Sequence, residues 1–126
     1  MVITLAEARQ QLLSLDGIIA TAVVDYTSSM TVSATEVTPY DIELAAAVAT
    51  EVVRAKLRAI EQMGGGQTID DILVTLSDEL HLITLRDDPA YAGLFAYMVL
   101  DRERGNLALA RRRLRDLTES GIQIQR

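Results

Sequence analysis

Residues 38–66 read TPYDIELAAAVATEVVRAKLRAIEQMGGG, and this stretch decides the fold. Thr38 and Pro39 offer an N-cap and a proline at the first helical position, nothing breaks the run to Met63, and Gly64-Gly65-Gly66 ends it. With Ile42 at zero and ~100° per residue, Glu43, Glu51, Arg54, Arg58 and Glu61 gather on a narrow wet face. Ile42, Ala49, Val53 and Ile60, flanked by Ala45, Ala46, Leu57 and Met63, form the stripe expected to lie on a sheet. Leu44, Val48, Ala55 and Ala59 form a second stripe, with Val52 bridging the two, so the apolar arc exceeds the ~100° of an ordinary surface helix.

Something must cover that second stripe. Its side chains are mostly small, so another backbone can come close, and an antiparallel copy of the same helix across a twofold axis is the simplest cover. A homodimer is therefore expected, with Leu44, Val48, Val52, Ala55 and Ala59 at the interface and Glu51, Arg54 and Arg58 as the wet face that a partner reads. The alternative is cover within one chain, by the first or the last helix.

Upstream, Thr4-Leu5-Ala6-Glu7 fits a capping box, and Leu5, Ala8 and Leu12 share one helical face until Asp16-Gly17 stops the helix. Ile18 to Tyr26 is β-branched and nearly all apolar, as in a strand covered on both faces. Met30 to Thr35 alternates, as at an edge, and Thr27-Ser28-Ser29 turns between the two. Downstream, Ile69 to Leu76, Leu80 to Leu85 and Tyr91 to Leu100 read as a three-stranded antiparallel meander. Gly105-Asn106 then opens a helix through Leu107, Ala110, Leu114 and Leu117 that stops near Ser120-Gly121. The order is αββαβββα, an α+β class with five strands, and no repeat or linker divides residues 1–126 into more than one domain.

Composition excludes several functions. The chain has 126 residues, no cysteine and a formal charge of −6, which removes thiolate metal sites and redox chemistry and disfavours nucleic acid and anionic lipid. The longest apolar run, Leu94 to Leu100, is far short of the ~20 residues of a membrane-spanning helix. No secretion signal opens the sequence, so the expected compartment is the cytoplasm.

Candidate chemistry is sparse. His81 is the only histidine and lies in a strand pattern without a fixed-spacing partner, as a half-exposed strand residue would. The pairs Asp70-Asp71, Asp78-Glu79 and Asp87-Asp88 read as solvated turns, because sequence neighbours point apart in strands. Phosphate-loop chemistry is absent, since the triple glycine has no lysine and follows a helix instead of opening one. Arg111-Arg112-Arg113 and Arg115 spread around the last helix and read as solvated charge rather than an acidic-partner patch. Tyr97, Phe95 and Met98 read as core. No catalytic, metal or cofactor residue emerges, so no enzyme is expected.

The element order with a long second helix resembles roadblock (dynein light chain) domains of bacterial type, close in plan to profilin. Gly17-Ile18-Ile19-Ala20-Thr21-Ala22-Val23-Val24-Asp25 resembles the family's opening glycine and first strand. Glu43-Leu44-Ala45-Ala46 resembles the start of its long helix, and Leu100 to Arg111 its last strand running into the final helix. One departure is Tyr26-Thr27-Ser28-Ser29, which lacks the glycine common in the family's first hairpin. The resemblance implies a sandwich in which the long helix covers one sheet face and the other two helices the opposite face. It also implies a homodimer whose central strands join into one sheet, with paired long helices that bind a Ras-like small GTPase without hydrolysing nucleotide. Two other readings stay open: a small-molecule-binding sensory domain, which requires a cavity, and a scaffold with no GTPase.

Overall fold

The computed structural model describes residues 2–124. In chain order the elements are β1 (Ile3–Thr4), α1 (Leu5–Leu13), β2 (Ile18–Asp25), β3 (Met30–Glu36), α2 (Ile42–Gln62), β4 (Asp71–Thr75), β5 (Glu79–Leu85), β6 (Leu94–Asp101), α3 (Leu107–Ser120) and β7 (Ile122–Gln123). The five main strands form one antiparallel sheet in the order β3-β2-β6-β5-β4. Its two central strands, β2 and β6, are the most continuously apolar in the sequence, as burial on both faces requires.

Alternation along the strands divides the core in two. Ala20, Ala22, Val24, Ile83, Phe95, Tyr97 and Val99 pack on one face against Ile42, Ala46, Ala49 and Val53 of α2. Leu80, Leu82, Met98 and Leu100 pack on the other against Ala8 and Leu12 of α1 and Ala110, Leu114 and Leu117 of α3. The expected sandwich, with one long helix on one face and two on the other, is what the chain forms.

Both shorter helices start where their caps predict. Thr4 Oγ1 accepts from Glu7 N at 3.1 Å, and Asn106 Oδ1 accepts from Leu109 N at 3.0 Å. The long helix starts later than Thr38-Pro39 suggests. Asp41 caps it, accepting from Leu44 N at 3.2 Å, because the preceding Tyr40 is drawn to Glu79 of β5 by a 3.0 Å hydrogen bond from its hydroxyl. Met63, expected on the sheet, is instead 83% exposed at the C-cap, where the chain peels away into the glycines.

Two further departures concern short elements. Tyr91 does not open the last strand: Pro89–Tyr91 forms a 3-10 turn capped by Asp88, and the strand begins at Leu94 after Gly93 at φ +80°. Tyr91 is buried there, donating to Thr118 O at 3.0 Å and accepting from Ile122 N at 2.8 Å. The parallel pair β1 and β7 ties the described ends of the chain together, and two residues each leave no period for pattern reading to find.

The first hairpin solves its missing glycine with Ser29, which takes φ +66°. Asp25 Oδ1 holds the turn by accepting from the amides of Thr27 and Ser28. A left-handed residue with a Cβ costs ~1 kcal/mol relative to glycine. Ser29→Gly is therefore expected to raise stability by a few tenths to ~1 kcal/mol, less the chain entropy that glycine adds to the unfolded state. A chemical-denaturation midpoint that falls instead would contradict this account.

Candidate interaction surface

The second stripe of α2 remains uncovered. Leu44, Val48 and Val52 are 61%, 54% and 39% exposed, Ala55 is exposed and Ala59 half-buried. Among the described residues nothing within the chain covers it, because α1 and α3 both pack on the opposite sheet face. The helix lies over β2 and β3, so the same sheet face stays open toward β4 and β5. Between them runs a groove of about 470 Å³ walled by Leu44, Val48 and Val52 and floored by Val74, Ile83 and Tyr97.

One end of the groove is polar. His81 Nε2 lies 2.8 Å from Glu79 Oε1 and its Nδ1 2.7 Å from the Tyr97 hydroxyl, while the Tyr40 hydroxyl lies 3.3 Å from Nε2. A carboxylate only accepts, so the arrangement places the ring proton on Nε2 and has Tyr97 donate to Nδ1. His81 thus has three partners, Glu79 two positions back on its own strand, Tyr97 on β6 and Tyr40 in the loop before α2, and only the first lies at a strand spacing that pattern reading could use. Tyr97, otherwise a core residue at 2% exposure, reaches the groove only through its hydroxyl.

Burial, then the hydrogen bond and charge of Glu79, push the Tyr40 hydroxyl up to about 12. Burial pushes Tyr97 up further, helped by charge on Tyr40 and Glu79. Both groups are held neutral in the fold relative to an unfolded tyrosine near 10. The unfolded chain therefore loses protons first, so the stabilisation is complete below pH ~10 and declines as pH rises toward ~12. Tyr40→Phe is expected to make that alkaline decline shallower in denaturation measured across this range; an unchanged slope would remove Tyr40 from it.

The wet face divides. Glu51 and Arg58 are exposed, whereas the Arg54 guanidinium donates to Tyr26 O at 2.7 Å and Thr27 O at 3.2 Å, fastening α2 to the first hairpin. The arginines of α3 also disperse. Arg111 makes a two-pronged ion pair with Asp71 at 3.0 and 3.1 Å, and Arg113 donates to Gln11 O at 3.1 Å. Asp71, read as part of a solvated pair, is thus an anchor between β4 and α3. Among the described residues no cluster of three His, Asp or Glu side chains is gathered as for a metal, and no helix is long and apolar enough to cross a membrane.

The two sheet edges differ. Along β3 the register with β2 slips, Val23 facing Ser33 and Val24 facing Thr31, so Val32 is an extra residue and the strand is bulged. Along β4 the pairing with β5 is regular from Asp71↔Thr84 to Thr75↔Leu80. Val74 and Leu76 stand exposed beside that edge, continuous with the groove.

No family model and no curated protein matches the sequence. Solved structures do match. A roadblock/LC7 domain from Streptomyces avermitilis superposes with a TM-score of 0.72 at 16% identity, over 89% of this chain and 88% of that one. The gliding protein MglB from Thermus thermophilus gives 0.73 at 12% identity, over 91% and 83%. MglC from Myxococcus xanthus gives 0.56 at 17% identity, over 89% and 90%. At such identities the likeness concerns fold, and the resemblance to roadblock domains holds at that level.

Proposed function

We propose that this chain of roadblock fold is a non-catalytic homodimeric regulator or scaffold that binds a Ras-like small GTPase through the surface of its paired long helices. The observation that carries the dimer is the uncovered stripe Leu44, Val48 and Val52 beside a groove and a regular, unbulged edge strand. A second copy related by a twofold axis brings the same stripe and the same edge, so each apolar wall meets its equivalent. The strands that join are then the edge strands β4 and not the central strands that the resemblance implies, because β2 and β6 are already paired on both sides; backbone groups on the outer side of β4 pair with those of the other copy, and the two sheets become one. Covering a patch of this kind also removes a contiguous apolar surface from water.

The GTPase is the partner that the roadblock resemblance implies, and the geometry is compatible with it. Pairing through Leu44, Val48, Val52, Ala55 and Ala59 leaves Glu51 and Arg58 at the margins of the helix pair, where rim charges set encounter and specificity. Arg54 offers less, since its guanidinium is engaged with the hairpin. Affinity capture from native lysate with a tagged copy, run with GDP and with a nonhydrolysable GTP analogue, tests the partner. A small GTPase retained in one nucleotide state supports the reading. Recovery of the chain's own copies alone, in both states, would leave the scaffold without a GTPase. Glu51→Arg and Arg58→Glu are expected to weaken the capture while leaving the dimer intact.

A further inference from the structure

The sheet face opposite the proposed seam holds a cavity of about 60 Å³, between α1, α3 and the strands. Its origin is legible in the register. Ser33 pairs with Val23, Val23 with Ala96, and Ala96 with Thr84, so one row across four strands carries only small or short side chains. Leu5, Leu12, Leu94 and Leu114 close over that row without filling it. Atoms lining an apolar void lack contact partners on one side, so an apolar occupant gains dispersion contacts there without displacing well-bound water. The space is under half the ~150 Å³ of an engineered cavity that admits benzene, which limits the occupant to a short aliphatic chain.

The boundary of the cavity sets the chemistry of the other end. Arg9 lines it, and its Nη1 donates to Ser33 Oγ at 3.2 Å. Among the described residues no carboxylate lies within ion-pair distance of Arg9. Ser33 accepts in that bond, so its own hydroxyl proton is available to donate. The second arginine at the cavity, Arg86, already faces Glu119 at 4.0 Å. A planar monoanion suits one guanidinium beside one hydroxyl.

We infer that this cavity takes a short-chain alkyl carboxylate, its tail between α1, α3 and the small-residue row and its carboxylate on Arg9 and Ser33. The site is independent of the dimer and of the GTPase, because it lies on the face that α2 does not touch.

The test is a titration of the isotope-labelled chain with sodium butanoate, whose three-carbon tail suits the space, followed by amide and methyl NMR shifts, with butan-1-ol as the uncharged probe. Saturable shifts centred on Val23, Ala96 and Leu114 are expected, with at least tenfold weaker binding of butan-1-ol. Arg9→Gln, at a partly exposed position, is expected to weaken butanoate at least tenfold. Ala96→Leu fills the void and is expected to abolish the shifts with the fold retained. Absence of saturable shifts, or equal affinity for butanoate in the wild type and Arg9→Gln, would overturn the assignment.

Discussion

Val48→Asp is expected to convert a dimer into a folded monomer. Val48 is 54% exposed in the single chain and is not one of the buried residues that hold α2 to the sheet, so the substitution removes little of the fold's own packing. In the proposed dimer the same position is closed over by its equivalent, and a carboxylate there would have neither water nor a partner. A buried unpaired charge costs ~3 kcal/mol or more, and the twofold axis introduces two of them, so the dissociation constant should rise by at least ~10²-fold. Sedimentation velocity over a concentration series reads this directly, with circular dichroism as the control for folding. A well-folded Val48→Asp dimer of unchanged affinity would remove α2 from the seam.

Gly17→Ala should be the most damaging single substitution within the chain. Gly17 sits at φ +79°, and a Cβ on it would lie 2.5 Å from Gly105 N and 2.7 Å from Gly105 Cα. Neither neighbour is a flexible side chain that could swing aside. Both belong to the turn between β6 and α3, which Gly17 itself helps to hold by accepting from Asp101 N at 2.7 Å. The left-handed backbone contributes ~1–2 kcal/mol of the penalty and the collision adds to it, for a total of ~3–5 kcal/mol. Urea denaturation should show a large fall in midpoint, or the protein should fail to accumulate folded. A loss below ~1 kcal/mol would mean that the β6–α3 turn moves freely.

The same two positions show what the sequence could and could not reveal. Gly17 was legible as a helix stop, because glycine after an amphipathic run has a local reading, but its collision partner lies 88 positions away and leaves no local trace. Element order and the two faces of α2 were legible because helical and strand periods are long relative to noise, and every apolar residue votes. The start of α2 departs from its local signal because Thr38-Pro39 is overridden by a distant hydrogen bond, Tyr40 to Glu79. His81 is the sharpest case. Glu79 stands two positions before it on the same strand face and is legible as a neighbour, but Tyr97 and Tyr40 reach it only through the β5–β6 pairing and the loop before α2, so the histidine reads as inert in the sequence. The stripe Leu44, Val48 and Val52 could be seen as surplus from the sequence, yet only the packing of α1 and α3 on the far face shows that no other described element covers it.

The bulge at Val32 bears on how far assembly can go. A β-sheet with two equally receptive margins is a template for endless extension, and proteins with such sheets risk growing into filaments. Here one margin is kinked out of register by its extra residue, while the other is straight. In the proposed dimer straight margin joins straight margin, which uses up the receptive edge of each sheet and leaves kinked strands facing outward at both ends. Growth of that dimer by strand addition would therefore terminate after a single step, giving a closed pair instead of a polymer.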